Sequence, residues 1–207
     1  QLKKMGAFEY YHTSFSYTDQ QTGEERFVGV PEQGGRDLIS SDPLAPGTAY
    51  TAGVTSDGTV GLYRMEVSIS TGTGKLKMAG GLAGAMRESV QRAFSFLQTR
   101  KSELGIARDL DVSDLHVEVI ALLANRVEAE LGVAFFVAAY SAIRKAPVSP
   151  ALLILGDLSV QGNIKPVRSL TEPLQIAMDN GAKRVLVPIE NKRNFLDVSA
   201  DIMEHVD

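Results

Sequence analysis

The chain has 207 residues, of which 44% are hydrophobic and 22% charged, a composition that suits one domain with a sizeable core plus an appended segment and argues against disorder throughout. Its formal net charge of -4 argues against a stand-alone nucleic-acid binder. The absence of cysteine removes disulfides, thiolate metal sites and a cysteine nucleophile.

Residues 1–47 are polar and dense in turn residues, with Gln33-Gly34-Gly35, Asp42-Pro43 and Pro46-Gly47 as examples. Within them Phe15-Ser16-Tyr17 and Phe27-Val28-Gly29-Val30 flank a polar turn, which predicts a hairpin; the segment as a whole reads as a connector. From Ala49 the pattern sharpens. Ala49 to Thr55 and Val60 to Ser70 read as paired strands turned by Ser56-Asp57-Gly58, and Lys75 to Met78 as a short strand. Gly80 to Gly84 is a loop. A helix is predicted over residues 85–104, with Met86, Val90, Ala93, Phe94 and Leu97 on one face and Gly105 ending it. A strand follows over Leu115 to Ile120. Val127 to Ile143 is apolar almost all round, so it is expected to be a helix buried at the centre of the domain. Ala151 to Leu155 is a continuous apolar strand. Gln161-Gly162-Asn163 is a turn between Leu158 and Ile164. Ser169 and Glu172 have the spacing of a capping box for a helix reaching Asn180, with Gly181 after it. Arg184 to Val187 is a last strand, stopped by Pro188. The sum is an α+β domain over residues 48–207, a mixed sheet with packed helices.

Three histidines, at positions 12, 116 and 205, form no HxH or HxxxH pair, so no metal site is expected. No GxxxxGK[ST] loop is present, which excludes phosphate binding of that kind within this chain. No apolar run has membrane-spanning length and no secretory signal opens the chain, so no membrane partner and cytoplasmic residence are expected. The two ends, at Gln1 and Asp207, read as cuts from a longer protein.

Three segments in order carry a resemblance: Glu128-Ala129-Glu130-Leu131-Gly132-Val133-Ala134, then Gly156-Asp157-Leu158 through Gly162-Asn163-Ile164-Lys165-Pro166-Val167, then Asn180-Gly181 through Val185-Leu186-Val187-Pro188-Ile189-Glu190-Asn191. Together they resemble the proteolytic domain of Lon proteases. The run from Glu128 to Asp207 is similar, more narrowly, to the Lon-related AAA+ proteins of the BREX phage-defence system. The resemblance implies the Lon proteolytic-domain fold (ribosomal protein S5 domain 2-like). It also implies a missing AAA+ module that would use ATP and Mg, a homo-oligomeric ring, and contact with DNA through the complete assembly. Other defence-system proteins are implied as further partners.

Lon peptidases cut amides with a serine in a G-P-S-A-G motif and a lysine base held neutral by desolvation. Here the positions matching that dyad are Glu130 and Thr171. A carboxylate and a hydroxyl replace the hydroxyl and the amine, so no catalytic residue and no cofactor are expected in this chain, and the reading is a non-proteolytic assembly domain. Glu130 is expected to pair with Arg126, Arg168 or a neighbouring subunit. Two alternatives stand beside this: a peptidase with Thr171 as nucleophile and Glu130 as base, and a docking module for other defence proteins that uses residues 1–47. Among other candidates, His116 reads as exposed or hydrogen-bonded. Ser141 reads as bonded back to a carbonyl. Lys165 reads as a solvated charge, and Lys75, Lys77, Arg87 and Arg92 as a solvated face.

Overall fold

A computed structural model describes residues 14–18, 25–29, 37–54, 59–79, 82, 84–123 and 129–206. The predicted Asp57-Gly58 turn, most of the 80–84 loop and Arg126 lie outside the described residues. Contacts divide the chain into a unit of residues 1–38 and a larger unit of residues 39–207. In the first, β1 (Ser14–Thr18) and β2 (Glu25–Gly29) pair antiparallel with Phe15 opposite Val28, which is the hairpin expected there.

The larger unit is built on β3 (Thr48–Val54), β4 (Val60–Thr71), β5 (Leu76–Met78), α1 (Gly84–Arg100), α2 (Ala107–Asp111), β6 (Ser113–Leu123) and α3 (Gly132–Arg144). These are followed by β7 (Leu152–Ile154), β8 (Asp157–Leu158), β9 (Ile164–Lys165), α4 (Thr171–Asp179), β10 (Arg184–Leu186), a 3-10 helix (Ile189–Asp197) and α5 (Ala200–His205). Six strands form one mixed sheet in the order β10-β7-β3-β4-β6-β5, and β8 and β9 form a separate small hairpin. The outcome is the expected α+β architecture.

Alternation along β4 explains the layers. Tyr63, Met65 and Val67 point to one face, into a cluster with Met86, Val90 and Leu97 of α1 and Phe135, Ala138 and Ala142 of α3. Leu62 points to the other face and is also fully buried, where α4 packs against β3 and β4 with Leu174 and Ala177.

Four features depart from the sequence reading. Residues 39–47, read as connector, belong to the larger unit: Ile39 is completely buried and its N–H donates to the Asn180 carbonyl, while the Gly47 carbonyl accepts from Val67. Helix α1 stops at Arg100, and the turn that follows ends at Gly105, whose φ of +68° suits glycine; α2, too short to show a period, then leads into β6. Helix α3 starts at Gly132 rather than Val127, because β8 crosses its first turn. A Cβ on Gly132 would stand 2.6 Å from an Asp157 carboxylate oxygen and 2.9 Å from the Leu158 nitrogen. Helix α3 is also not buried all round: Val133, Phe136, Val137 and Tyr140 are only partly covered, with the Phe136 ring between Phe96 and Tyr140.

Candidate functional site

Asp157, the first residue of β8, is 2% exposed and sits where α1, the start of α3 and the β8–β9 hairpin converge. One of its oxygens accepts from Ser89 Oγ at 2.6 Å and from the Gly132 N–H at 3.2 Å. The other accepts from Arg92 Nη2 at 2.7 Å and lies 3.5 Å from Lys165 Nζ. Ser89 and Arg92 are three residues apart on α1, the spacing that puts two side chains on one helix face. Burial pushes the Asp157 carboxyl up, but the Ser89 and Arg92 hydrogen bonds outweigh it and hold the group below its ordinary value.

Glu130 stands just ahead of α3, not on it, and is half exposed. Its carboxylate meets the same Arg92 Nη2 at 3.3 Å. The expected partner Arg168 lines the cavity beside Glu130 without a bond to it among the described residues, and the expected partner Arg126 lies outside them. Burial lowers the Arg92 pKa, but the Asp157 bond and the charges of Asp157, Glu130 and Glu88 outweigh it and raise the value. The guanidinium is therefore a permanent cation.

The cavity has a volume of about 330 Å³ and is bounded by Gly53 and Val54 of β3, Glu130, Asp157, Arg168 and Pro173. Strand β3 pairs with β4 over its whole length but with β7 only at Tyr50, so the backbone edge of its last residues faces this space. Three backbone donors at the start of α3 are already used. Leu131 N–H donates to Ser89 Oγ, Gly132 N–H to Asp157, and Val133 N–H to the Gly156 carbonyl.

Thr171 is not brought to Glu130. Its hydroxyl donates to the Asp197 carbonyl at 3.4 Å, on the side of α4 that faces the 3-10 helix, and it does not line the cavity. The α4 residue that does is Pro173, which has no titratable side chain. Counting along the sequence from Gly156 does not tell which side of a helix a residue occupies; the packing of α4 does.

Residues 27–207 match the Lon protease (S16) C-terminal proteolytic domain. The chain belongs to that family. It is 33% identical over 203 residues to the "Lon-like protease BrxL" of Escherichia coli O9:H4 (strain HS), covering 98% of this chain and 29% of that protein. The "Lon-like protease BrxL" of Bacillus cereus (strain H3081.97) is also 33% identical, over 91% of this chain and 28% of its own length. The "Lon protease" of Methylocella silvestris is 30% identical over 98% of this chain and 24% of its own length. The chain thus spans less than a third of each of these relatives.

In this Lon-family domain the remaining candidates take structural places. His116 is bonded to Ser70 Oγ at 2.9 Å on an exposed part of the sheet. Ser141 Oγ donates to the Ala146 carbonyl and accepts from the Gly47 N–H at 2.9 Å. Lys77 pairs with Asp114 at 3.0 Å, and Arg92 turns inward, so the basic face read along α1 and β5 is not formed as such. Lys165 is a partner of Asp157 rather than a purely solvated charge. Sequence reasoning missed Ser89, Asp157, Arg92 and Pro173 as members of the site. For Asp157 a signal existed, since it lies within the segment from Gly156 to Val167 that carries the resemblance. For Arg92 none did, because its partners Glu130 and Asp157 are 38 and 65 residues away. Among the described residues no three His, Asp or Glu side chains gather as a metal site, and no helix is long and apolar enough to cross a membrane.

Proposed function

We propose that this Lon-family domain does not hydrolyse peptides and serves assembly and scaffolding in a larger AAA+ protein. The observation that carries the reading is Glu130 itself. A carboxylate stands at the position matching the Lon serine, and it is engaged by Arg92. The surroundings support it. Among the described residues no lysine lines the cavity, and Lys165 Nζ lies 3.5 Å from an Asp157 carboxylate oxygen. The helix N-terminal donors that an oxyanion would need are committed to Ser89, Asp157 and Gly156. The swapped peptidase, with Thr171 as nucleophile, lacks support because Thr171 faces Asp197.

The likeness to proteins named "Lon-like protease BrxL" extends the proposal to the whole protein. On this reading a module outside the chain binds ATP and Mg, the subunits form a ring, and the ring acts on DNA in phage defence, with other defence proteins as partners. The test combines two measurements on the full-length protein with ATP, Mg and DNA. Light scattering is expected to give a ring, and casein is expected to stay intact. Casein turnover above a contaminant-controlled blank and abolished by Glu130→Ala would overturn the first half of the reading. A monomeric mass would overturn the second.

A further inference from the structure

A second feature lies away from the Glu130 cavity, at the end of the sheet. Among the described residues strand β10 is the terminal strand and pairs only with β7, in parallel. Arg184 N–H donates to the Ala151 carbonyl and the Leu186 carbonyl accepts from Leu155, so these two residues spend their backbone groups on the inner side. Alternation turns the N–H and C=O of Val185 outward, and no backbone bond on that side is formed among the described residues. Beside this edge, between α4, β10, the 3-10 helix and α5, is a cavity of about 610 Å³. Val185, Leu186, Ile189, Phe195 and Met203 supply apolar walls, and Leu186, Ile189 and Met203 are 51%, 83% and 48% exposed.

Charge sets the kind of occupant. Among the described residues Lys192 is the one ionisable side chain that lines this cavity and no carboxylate lines it, and Arg184 of β10 and Lys183 before it are exposed. An unpaired strand edge next to an apolar recess is the arrangement by which sheets take up an extended peptide, the backbone giving affinity and the recess selecting side chains. We propose that the β10 edge and its cavity bind an extended apolar segment of a partner protein that carries acidic residues, by strand addition. The proposal does not depend on whether the Glu130 site is inert.

The test uses the 207-residue chain and a fluorescein-labelled octapeptide that alternates valine and threonine and carries two terminal aspartates. One comparison peptide has lysines in place of the aspartates. Another is N-methylated at alternate amides, which blocks strand pairing. Saturable anisotropy is expected for the acidic peptide, at least tenfold weaker for either comparison. Leu186→Asp, shown to be folded by circular dichroism, is expected to abolish binding, and Lys192→Glu to weaken it for the acidic peptide and strengthen it for the lysine peptide. No saturable binding, equal binding of the three peptides, or indifference to both substitutions overturns the proposal. So does sedimentation showing that the chain dimerises and that Leu186→Asp dissociates it, since a second copy would then own the edge.

Discussion

Asp157 is buried and carries its charge because four donors surround it, while Glu130 shares one of them from a half-exposed position. The two acids therefore differ in what they contribute. Asp157→Ala leaves Arg92 without its closest partner and the α3 N-terminus uncapped, and is expected to cost about 3–5 kcal/mol in urea unfolding, the usual penalty for breaking a buried pair. Glu130→Ala is expected to change stability by less than about 1 kcal/mol, as for an exposed ion pair. The same geometry predicts that Glu130→Ser combined with Thr171→Lys leaves casein intact, because the new lysine would lie toward Asp197. Asp114 carries a pH consequence. Backbone N–H groups of Lys75 and Thr73, then Lys77, hold its carboxyl far below the ordinary range. A folded-state value below the unfolded one, about 3.9, adds stability that is present above the unfolded value and lost as pH falls toward the folded one. The gap between wild type and Asp114→Asn, followed by thermal unfolding, should be widest near neutrality and narrow steadily below about pH 4.

At the scale of elements, α3 sets the site through its first residue and the core through its buried face. Phe135 is fully buried whereas its neighbour Phe136 is partly exposed between two rings. Phe135→Ala is expected to cost about 3–5 kcal/mol, and Phe136→Ala clearly less, in the same denaturant titration; equal losses would show that the helix is oriented differently. The apolar run was legible as a helix, and its inward residues follow its period. Its start was not legible. Glu128, Ala129 and Glu130 are good helix formers, yet residues 129–131 are not helical. The close crossing of β8 at Gly132 decides where the helix begins. The capping box before α4 was read in part. Ser169 and Glu172 do bond, but side chain to side chain, and Leu170 rather than Ser169 occupies the cap position.

For the molecule as a whole, the unit of residues 39–207 assembles its core from its own residues on both faces of the sheet. A chain that begins at Ile39 is accordingly expected to fold, with an unfolding free energy within about 1 kcal/mol of the full chain. A molten near-ultraviolet spectrum from that truncation would show that the first unit is required. Cutting instead after Gly47 removes Ile39 and the Gly47 bond to Val67, and is expected to destabilise the domain.

Period and composition alone determined the α+β class, most of the strands and the existence of the long helices. Those properties depend on residues near one another in the chain, where alternation and helical spacing are visible. Tertiary structure alone decided that Arg92 holds Glu130, that Asp157 is the buried centre of the site, and that Pro173 rather than Thr171 faces the cavity. Each of these depends on how separate elements cross and which side of a helix meets the sheet. A charge also chooses its partner by distance in space, which spacing along the chain does not encode.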